Sequence, residues 1–349
     1  MKRIAIIAFV CLLALTGFTG CASQSTPIEE GKISVIASFF PLYDFAKAIG
    51  GEHVHVVNMI PAGVEPHDWT PKSQDMINVS KSQLFIYQGA GFEGWIDELF
   101  ANIDTDGIVI VEASKGIELM EAAADDHGHG GEPAHEDEHG HEEDVSAHED
   151  QHGHEDEHGH EEEAAVQEED GHDHGVYDPH TWLSPKSAVK MAENVKAGLI
   201  QADPAHAADY EANFETLADK LQQLDRSFTE RLGSVSNKEI VVSHQAFGYM
   251  ARDYGLTQLP MMGIAAEAEP TAQDLKEISE FVEEHNIQYI FTESLVSDAM
   301  AKTLASDLGI ETLPLHTLEG LTPEETKSGE TYITIMEQNL TNLLKALNP

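Results

Sequence analysis

The feature that most constrains the fold of this 349-residue chain is a long polar segment in its middle, residues 121–176. This segment holds 22 Asp or Glu residues, no Lys or Arg, and almost no large apolar side chains. Such a composition cannot bury enough apolar surface to offset the entropy lost when a backbone is ordered. We therefore predict a disordered insertion, so that the folded structure must be built from the sequence on either side of it.

Twelve of the 20 histidines of the chain lie in the same acidic segment. The sequence HEDEHGHE occurs at His135–Glu142 and His154–Glu161, and HEDQHGHE occurs at His148–Glu155. Imidazole and carboxylate groups at this density bind divalent metals, and imidazole favours zinc, copper or nickel over calcium or magnesium. A solvated charge run is the simpler interpretation, and it is compatible with metal binding. We predict a secondary, weak metal-binding loop formed by His127, His129, His135, His139, His141, His148, His152, His154, His158, His160, His172 and His174.

Residues 1–20 have the pattern of a secretory signal peptide. Lys2 and Arg3 precede an apolar run, Ile4–Phe18, that is shorter than the ~20 residues needed to span a membrane. Cys21 follows small residues in a context similar to the bacterial lipobox, although an ordinary signal peptide with an incidental cysteine is the alternative. We predict lipidation of Cys21 and attachment to the outer face of the cytoplasmic membrane, or a periplasmic protein if Cys21 is not lipidated.

The charge and the cysteine content exclude several classes of protein. The net charge is −44, and outside the acidic segment 41 acidic residues still face 19 basic ones. This balance rules against nucleic-acid binding and suits a surface that collects cations. Cys11 would be removed with the signal peptide, which leaves Cys21 as the single cysteine. The sequence therefore predicts neither a disulfide framework nor a cysteine metal site.

Outside the acidic segment, short β-branched apolar runs alternate with helical patterns, including a long amphipathic helix at Pro204–Leu232. This alternation predicts an α/β fold with two α/β lobes joined by a long backbone helix. We assign residues 21–32 to a lipid-anchored spacer, 33–185 to the N-terminal lobe, 186–234 to linker helices and 235–349 to the C-terminal lobe. The predicted strands are Ile33–Ala37, Val54–Ile60, Leu84–Tyr87, Ile108–Val111, Ile240–Ser243, Thr257–Met261, Tyr289–Thr292 and Glu311–Leu315.

Four residues lie where such lobes expose their chemistry. His67 follows the second strand, His180 precedes a helix, and His244 and Glu293 stand at strand ends. Their spacing alone proves no site, and any one of the histidines taken singly could be a surface or core residue. As a set, three imidazoles and one carboxylate satisfy a tetrahedral zinc ion. We predict a metal site formed by His67, His180, His244 and Glu293.

The motifs around these residues resemble the zinc-specific solute-binding proteins of bacterial ABC transporters, the ZnuA-type family. The resemblance implies two lobes bridged by a long helix, a metal site in the cleft between them, and an acidic, His-rich loop near it. It implies capture of Zn²⁺ as the transported ligand, with an ABC permease and its ATPase subunit as partners. We also expect a monomer attached to the membrane by a lipid anchor. The resemblance is carried by Ala37–Leu42, Val64–His67, Asp178–Leu183, Ser243–Tyr249 and Phe291–Ser294.

Alternatives remain at the site and for the function. Manganese-carrying relatives place a carboxylate where His244 stands, so His244 favours zinc, but a manganese transporter protein of the same family is an alternative. Glu65 or a water molecule, rather than Glu293, could be the fourth ligand. A secreted zinc hydrolase is a weaker alternative, because the sequence has neither HExxH nor the context of a Ser or Cys nucleophile. We therefore predict a binding protein and no enzyme.

Overall fold

The computed structural model of the chain describes residues 31–122, 177–264 and 270–348. The predicted signal peptide, Cys21 and the twelve histidines of the acidic segment lie outside the described residues, and what the sequence suggests about them stays a prediction. Within the described ranges, no helix combines the length and the apolar character needed to cross a membrane.

The N-terminal lobe is built on a four-stranded parallel sheet. Its elements are β1 (Ile33–Ala37), α1 (Phe40–Gly50), β2 (Val54–Asn58), α2 (Ser73–Ser80), β3 (Leu84–Tyr87), α3 (Ile96–Asn102) and β4 (Val109–Glu112). The strand order is β2-β1-β3-β4, and every pair is parallel.

Both faces of this sheet are covered, so its inner strands are nearly continuous apolar runs, interrupted only by Ser34, rather than alternating patterns. Val35 and Ala37 of β1 face the main core, whereas Ile36 between them joins a second cluster with Phe85 and Leu99. All five side chains are at most 3% exposed. This continuous burial explains why β1 and β3 have the predicted bounds.

The C-terminal lobe repeats the same topology. Its elements are β5 (Glu239–His244), α6 (Gly248–Tyr254), β6 (Thr257–Met262), α7 (Ala272–Glu284), β7 (Tyr289–Thr292), α8 (Ala299–Leu308), β8 (Glu311–Pro314), α9 (Pro323–Ser328) and α10 (Tyr332–Leu347). The strand order is β6-β5-β7-β8, again all parallel. In parallel sheets the carboxyl ends of the strands share one edge, which is where ligands bind.

Two helices connect the lobes: α4 (Pro185–Ala202) and α5 (Ala207–Gly233). The predicted long helix is present, but its first residues, Pro204–His206, form a 3₁₀ turn because the Asp203 carboxylate holds His206 and Tyr210 there. Its apolar stripe packs against α1, α4 and α10. The buried residues of the stripe are Tyr210, Leu217, Ala218, Leu221, Leu224, Phe228 and Leu232.

Buried hydrogen bonds join the segment just before α4 to the C-terminal lobe. The Trp182 Nε1–H donates to the Thr317 carbonyl at 2.7 Å, and the Tyr332 hydroxyl donates to the Trp182 carbonyl at 2.5 Å. One hydrophobic core runs continuously through both lobes and the linker helices. The predicted architecture of two α/β lobes and a long connecting helix is confirmed.

Candidate metal centre

His180 is held by an aspartate two residues before it. The Asp178 Oδ1 accepts from the His180 backbone N–H at 2.9 Å and lies 2.8 Å from the His180 Nδ1. This local turn ends in a 3₁₀ helix, Thr181–Leu183, and Ser184 then caps α4 through the Ser187 N–H. Because the carboxylate accepts from Nδ1–H, the neutral ring presents the lone pair of Nε2 to the cleft.

His244 is held in the same way from a neighbouring strand. It ends β5, and its Nδ1 lies 2.7 Å from Oε1 of Glu293, the residue that follows β7. Both β5 and β7 are inner strands of the sheet, so parallel pairing brings their carboxyl ends together. His244 is fully buried and Glu293 is 9% exposed.

His67 lies on the loop between β2 and α2, and its side chain is 5% exposed. Its backbone N–H points at Oε1 of Glu65 from 3.4 Å. The rings of His67 and Phe92 meet edge to face at 5.4 Å, and Phe92 packs in turn on Trp182 at 4.9 Å. An aromatic wall therefore flanks the cleft beside His67.

A buried carboxylate shapes this wall. Glu93, next to Phe92, accepts from the Ser38 hydroxyl at 2.6 Å and from the backbone N–H groups of Gln88 and Gly89. Burial raises the pKa of Glu93 to about 7 even though these hydrogen bonds favour its ionised form. The network fixes the loop that carries Phe92.

The three histidines converge on a residue that the sequence did not single out, Glu319. Its Oε1 lies 3.1 Å from Nε2 of His180, 3.4 Å from that of His244 and 3.5 Å from that of His67. Glu319 is 1% exposed. Among the residues that the structure describes, this is the one cluster in which three or more possible metal donors lie within 4.8 Å of one another.

The distances from Glu319 to the three histidines are close to those between donors around a zinc ion. With bonds of about 2.0–2.2 Å, neighbouring donors of a tetrahedral site lie roughly 3.3–3.6 Å apart. The buried Nε2 atoms of His67 and His244 and the Oε2 of Glu319 have no hydrogen-bond partner in the described part of the chain. Buried polar atoms are rarely left without a partner, so a ligand at this point would satisfy them.

The cluster differs from the predicted set at one position, because its carboxylate is Glu319 and Glu293 is not a member. Glu293 lies behind the His244 ring, on Nδ1, whereas Glu319 lies on the Nε2 side that faces the cleft. The physical reason is the position of Glu293 in the sheet. It immediately follows β7, next to the end of β5, so its carboxylate contacts the Nδ1 side of the His244 ring. Glu65, the other alternative, is near the cluster but not a member of it.

The charges of the site are strongly coupled. Burial lowers the pKa of His180 and of His244, but hydrogen bonds and charge from Asp178, Glu293 and Glu319 outweigh it, so both pKa values are raised, that of His244 strongly. Burial would raise the pKa of Glu319, yet the three histidines hold it well below its usual range.

At Glu65 the effects that raise the carboxyl pKa outweigh those that lower it. Burial raises its pKa to about 8, and the charge of Glu319 adds to the shift. Glu65 at neutral pH is therefore largely protonated. A neutral carboxyl group is a poor competitor for a metal cation beside an ionised Glu319.

The sequence contained one signal for Glu319. It lies shortly after β8 between apolar or small neighbours, Leu318, Gly320 and Leu321. Leucines on both sides of an acidic residue indicate a buried segment. Glu319 also follows the carboxyl end of a strand, as Glu293 does. His316, three residues earlier, is not part of the cluster.

Comparison with known sequences gives a consistent family. The profile of ZnuA, described as zinc-uptake complex component A, periplasmic, matches residues 35–346. The chain is 35% identical over 338 residues to the high-affinity zinc uptake system protein ZnuA of Bacillus subtilis, covering 97% of this chain and 95% of that protein. It is 34% identical over 317 residues to the zinc-binding protein AdcA of Streptococcus pyogenes serotype M3, covering 90% of this chain. The chain spans only 56% of the length of that streptococcal relative.

Solved structures agree with this grouping. The metal-dependent lipoprotein YcdH from Bacillus subtilis is 34% identical, with a TM-score of 0.69 over 90% of this chain and 99% of that one. The Zn(II)-bound ZnuA-like domain of Streptococcus pneumoniae AdcA is 30% identical, with a TM-score of 0.69 over 91% of this chain and 100% of that domain. Three of these four relatives are zinc-binding or zinc-uptake proteins by name, and the fourth is called metal-dependent. With the profile matched over nearly all of the described residues, the chain belongs to the ZnuA family of zinc-uptake components.

Proposed function

We propose that this protein captures Zn²⁺ outside the cytoplasm and delivers it to an ABC-type zinc importer. The observation that carries the proposal is the convergence of three imidazole Nε2 atoms on one buried carboxylate oxygen between the lobes. In this proposal His67, His180, His244 and Glu319 are the zinc ligands, and Glu293 and Asp178 orient two of them. The names of the relatives support zinc as the cargo.

The donor set favours zinc over manganese. Imidazole nitrogen suits zinc, whereas manganese prefers a site richer in oxygen. The side chains that carry the three nitrogens and the carboxylate are at most 5% exposed, so the set offers few oxygens and little room for water. A manganese carrier of the same family is therefore the weaker alternative.

The same set disfavours a zinc hydrolase. Catalytic zinc keeps one position open for water, next to a general base. Here four side chains would fill a tetrahedral ion and leave no position open for water. A binding role needs no open position, which supports a transport component.

Partners, location and domain limits are part of the proposal. We infer an ABC permease with its ATPase as the receiving partner, from the family to which the chain belongs. We infer lipid attachment at Cys21, since the sequence offers a lipobox-like context there. The lobes would span 33–185 and 235–349, with linker helices at 186–234 and a secondary, weak metal-binding loop at 121–176.

Metal identity and ligand set can be tested together. Protein purified without added metal would be examined by native mass spectrometry, then titrated with zinc and manganese in competition with a chelator. We expect one tight zinc site that is lost in Glu319→Ala and retained in the control Glu324→Ala, whose side chain is exposed and lies outside the cluster. Equal binding by Glu319→Ala and the parent protein would remove Glu319 from the site.

The anchor has a separate test. Changing Cys21 to Ser should leave zinc binding intact and release the protein from the membrane fraction, because a lipid chain needs the thiol. A Cys21→Ser protein that stays in the salt-washed membrane pellet would contradict lipid attachment.

A further inference from the structure

The site carboxylate Glu319 stands on a buried turn rather than on a helix or strand. The turn follows β8 and comprises residues 316–321, all at most 8% exposed where a value is given. Hydrogen bonds fix both ends: the Leu315 N–H donates to the Thr292 carbonyl at 2.9 Å, and the Leu321 carbonyl accepts from the Gly63 N–H at 2.8 Å. The position of Glu319 therefore depends on the conformation of the residues between these ends.

The residue before Glu319 has an unusual backbone. Leu318 has a φ of +59°, in the left-handed region, and its side chain is fully buried. A bulky, non-glycine residue occupies this region only at a free-energy cost, so it persists where neighbouring groups hold it. Glycine would adopt this backbone conformation easily, but it would remove a side chain from the core. Leu318 therefore has to provide a buried side chain and a left-handed backbone at the same position.

His316 supplies the group that holds this conformation. Its Nδ1 accepts a hydrogen bond from the Leu318 backbone N–H at 2.8 Å. A side-chain acceptor at one residue and an N–H two residues later is the geometry by which Asn and Asp stabilise turns. Since Nδ1 accepts, the proton of the neutral ring is on Nε2, which faces Oε2 of Glu325 at 3.4 Å.

The backbone of His316 is fixed as well. Asn339 on α10 accepts from the His316 N–H and donates to the His316 carbonyl, both at 2.8 Å. Glu325 is anchored by the Thr322 N–H and hydroxyl at 2.8 and 2.9 Å. The imidazole is thus held at its backbone and at Nε2, which leaves Nδ1 aimed at Leu318.

We propose that His316 is a positioning residue for the zinc site, which holds the left-handed turn at Leu318 through Nδ1 and thereby aims the Glu319 carboxylate at the three histidines. The inference rests on the proposed function, because it assumes that Glu319 binds zinc. It assigns to His316 no contact with the metal. Its acceptor nitrogen, not its charge or its size, is the operative feature.

Two substitutions separate the two ring nitrogens. In His316→Asn the amide oxygen can occupy the place of Nδ1 and accept from the Leu318 N–H. In His316→Gln the amide group reaches the place of Nε2, near Glu325, and the two-residue turn loses its acceptor. We expect zinc to bind His316→Asn within about twofold of the parent and His316→Gln about tenfold more weakly, as loss of one buried hydrogen bond implies.

The matched control is Asn342→Ala. The Asn342 side chain also lies on α10 and donates to the Pro314 carbonyl at 2.8 Å, just before the turn. This variant should lower the melting temperature without changing the dissociation constant for zinc. Amide exchange of Leu318 should be faster in His316→Gln and nearly unchanged in His316→Asn.

The zinc affinities of the two His316 variants decide whether His316 positions Glu319. Equal zinc affinities of His316→Asn and His316→Gln, or a weaker His316→Asn, overturn the positioning role. If His316→Gln does not fold, ¹⁵N NMR of the parent protein still decides, because a ring protonated on Nδ1 at neutral pH overturns the proposal and a ring protonated on Nε2 supports it. Failure of the parent itself to bind zinc tightly contradicts the proposed function instead.

Discussion

Two kinds of histidine meet at the metal centre. His180 and His244 are fully buried, and each has a carboxylate on Nδ1, from Asp178 and from Glu293. His67 lies on a loop of the N-terminal lobe, and among the described residues the carboxylate paired with its ring is Glu319, the centre of the cluster itself. We call His180 and His244 the braced histidines and His67 the unbraced histidine.

The difference teaches how a carrier can bind tightly and still release its cargo. Carboxylates on Nδ1 fix the tautomer and the orientation of a ligating ring and raise its basicity. The rings of the braced histidines are therefore already oriented for zinc before it arrives. The unbraced histidine is held by a loop and by contact with Phe92, so among the proposed ligands it is the one that can move with the least loss of structure.

The largest expected effect comes from removing a braced histidine. Replacing His244 by Ala should weaken zinc binding by more than about 100-fold, because even the orienting partners of zinc ligands are worth 10- to 100-fold. Replacing His67 by Ala should weaken it less. Competition with a chelator of known affinity measures both. Equal losses of zinc affinity in the two variants, or a larger loss in His67→Ala, would contradict the distinction between braced and unbraced histidines.

The next largest effect concerns the carboxylates behind the rings. Asp178→Asn and Glu293→Gln keep nearly the same shape but remove the charge that stabilises the Nδ1–H tautomer. Each should weaken zinc binding by about tenfold to 100-fold. The matched control is Glu65→Gln, beside the unbraced histidine, which should change the affinity by less than about threefold because Glu65 is already largely protonated at neutral pH.

These measurements also discriminate between the candidate ligands. If Glu65→Gln weakens zinc binding more than Glu293→Gln does, Glu65 takes part in the site and the braced pair is not its main support. The crystal structure of the zinc-bound Glu293→Gln protein would then show whether Glu65 has moved toward the metal.

The same comparison explains how far sequence alone could reach. The lobes were predictable because parallel strands covered on both faces are continuous apolar runs, as Leu84–Tyr87 shows. His180 and His244 were predictable because they stand at fixed distances from a helix start and a strand end. In each case a local pattern determines the position of the side chain.

Glu319 and Glu293 lacked such a pattern. Both are acidic and both follow strands of the C-terminal lobe, so spacing cannot tell which one faces the cleft. That choice depends on the left-handed Leu318 and on the hydrogen bond it makes to His316, both of which are properties of the folded turn. Helix α9, six residues long, was not predicted because so short a segment has no helical periodicity.

The pH dependence of binding should have a definite sign. In the metal-free protein the carboxylates, against the effect of burial, raise the pKa of both braced histidines above its ordinary value, so protons compete with zinc for these rings. Zinc binding should therefore release protons, and affinity should fall as the pH falls. Calorimetry in buffers of different ionisation enthalpy measures the number released.

Glu293→Gln is the control variant for this release of protons. Without the Glu293 charge the pKa of His244 should fall, so the variant should release fewer protons when it binds zinc at pH 7. Proton uptake on zinc binding, or release that does not depend on Glu293, would contradict the role of the carboxylate behind His244.

The smallest expected effect comes from the acidic, histidine-rich segment. On either side of it, the chain is closed by an antiparallel bridge between Glu121 and Tyr177 and by a hydrogen bond from the Asp178 N–H to the Met120 carbonyl at 2.9 Å. Residues 123–176 can therefore be replaced by a short glycine linker that preserves both contacts. The shortened protein should keep one tight zinc site with an affinity within about threefold of the parent, since Asp178 and His180 keep their supports.

The same variant tests whether the segment adds weaker sites. Titration of the parent protein should show further zinc ions bound beyond the first, and these should be missing from the shortened protein because its twelve histidines in the segment have been removed. A matched variant that retains the segment but replaces these histidines by Gln separates imidazole binding from the effect of negative charge. Loss of the tight site in the shortened protein would mean that the segment takes part in the centre, and His180 could not then be regarded as braced by Asp178 alone.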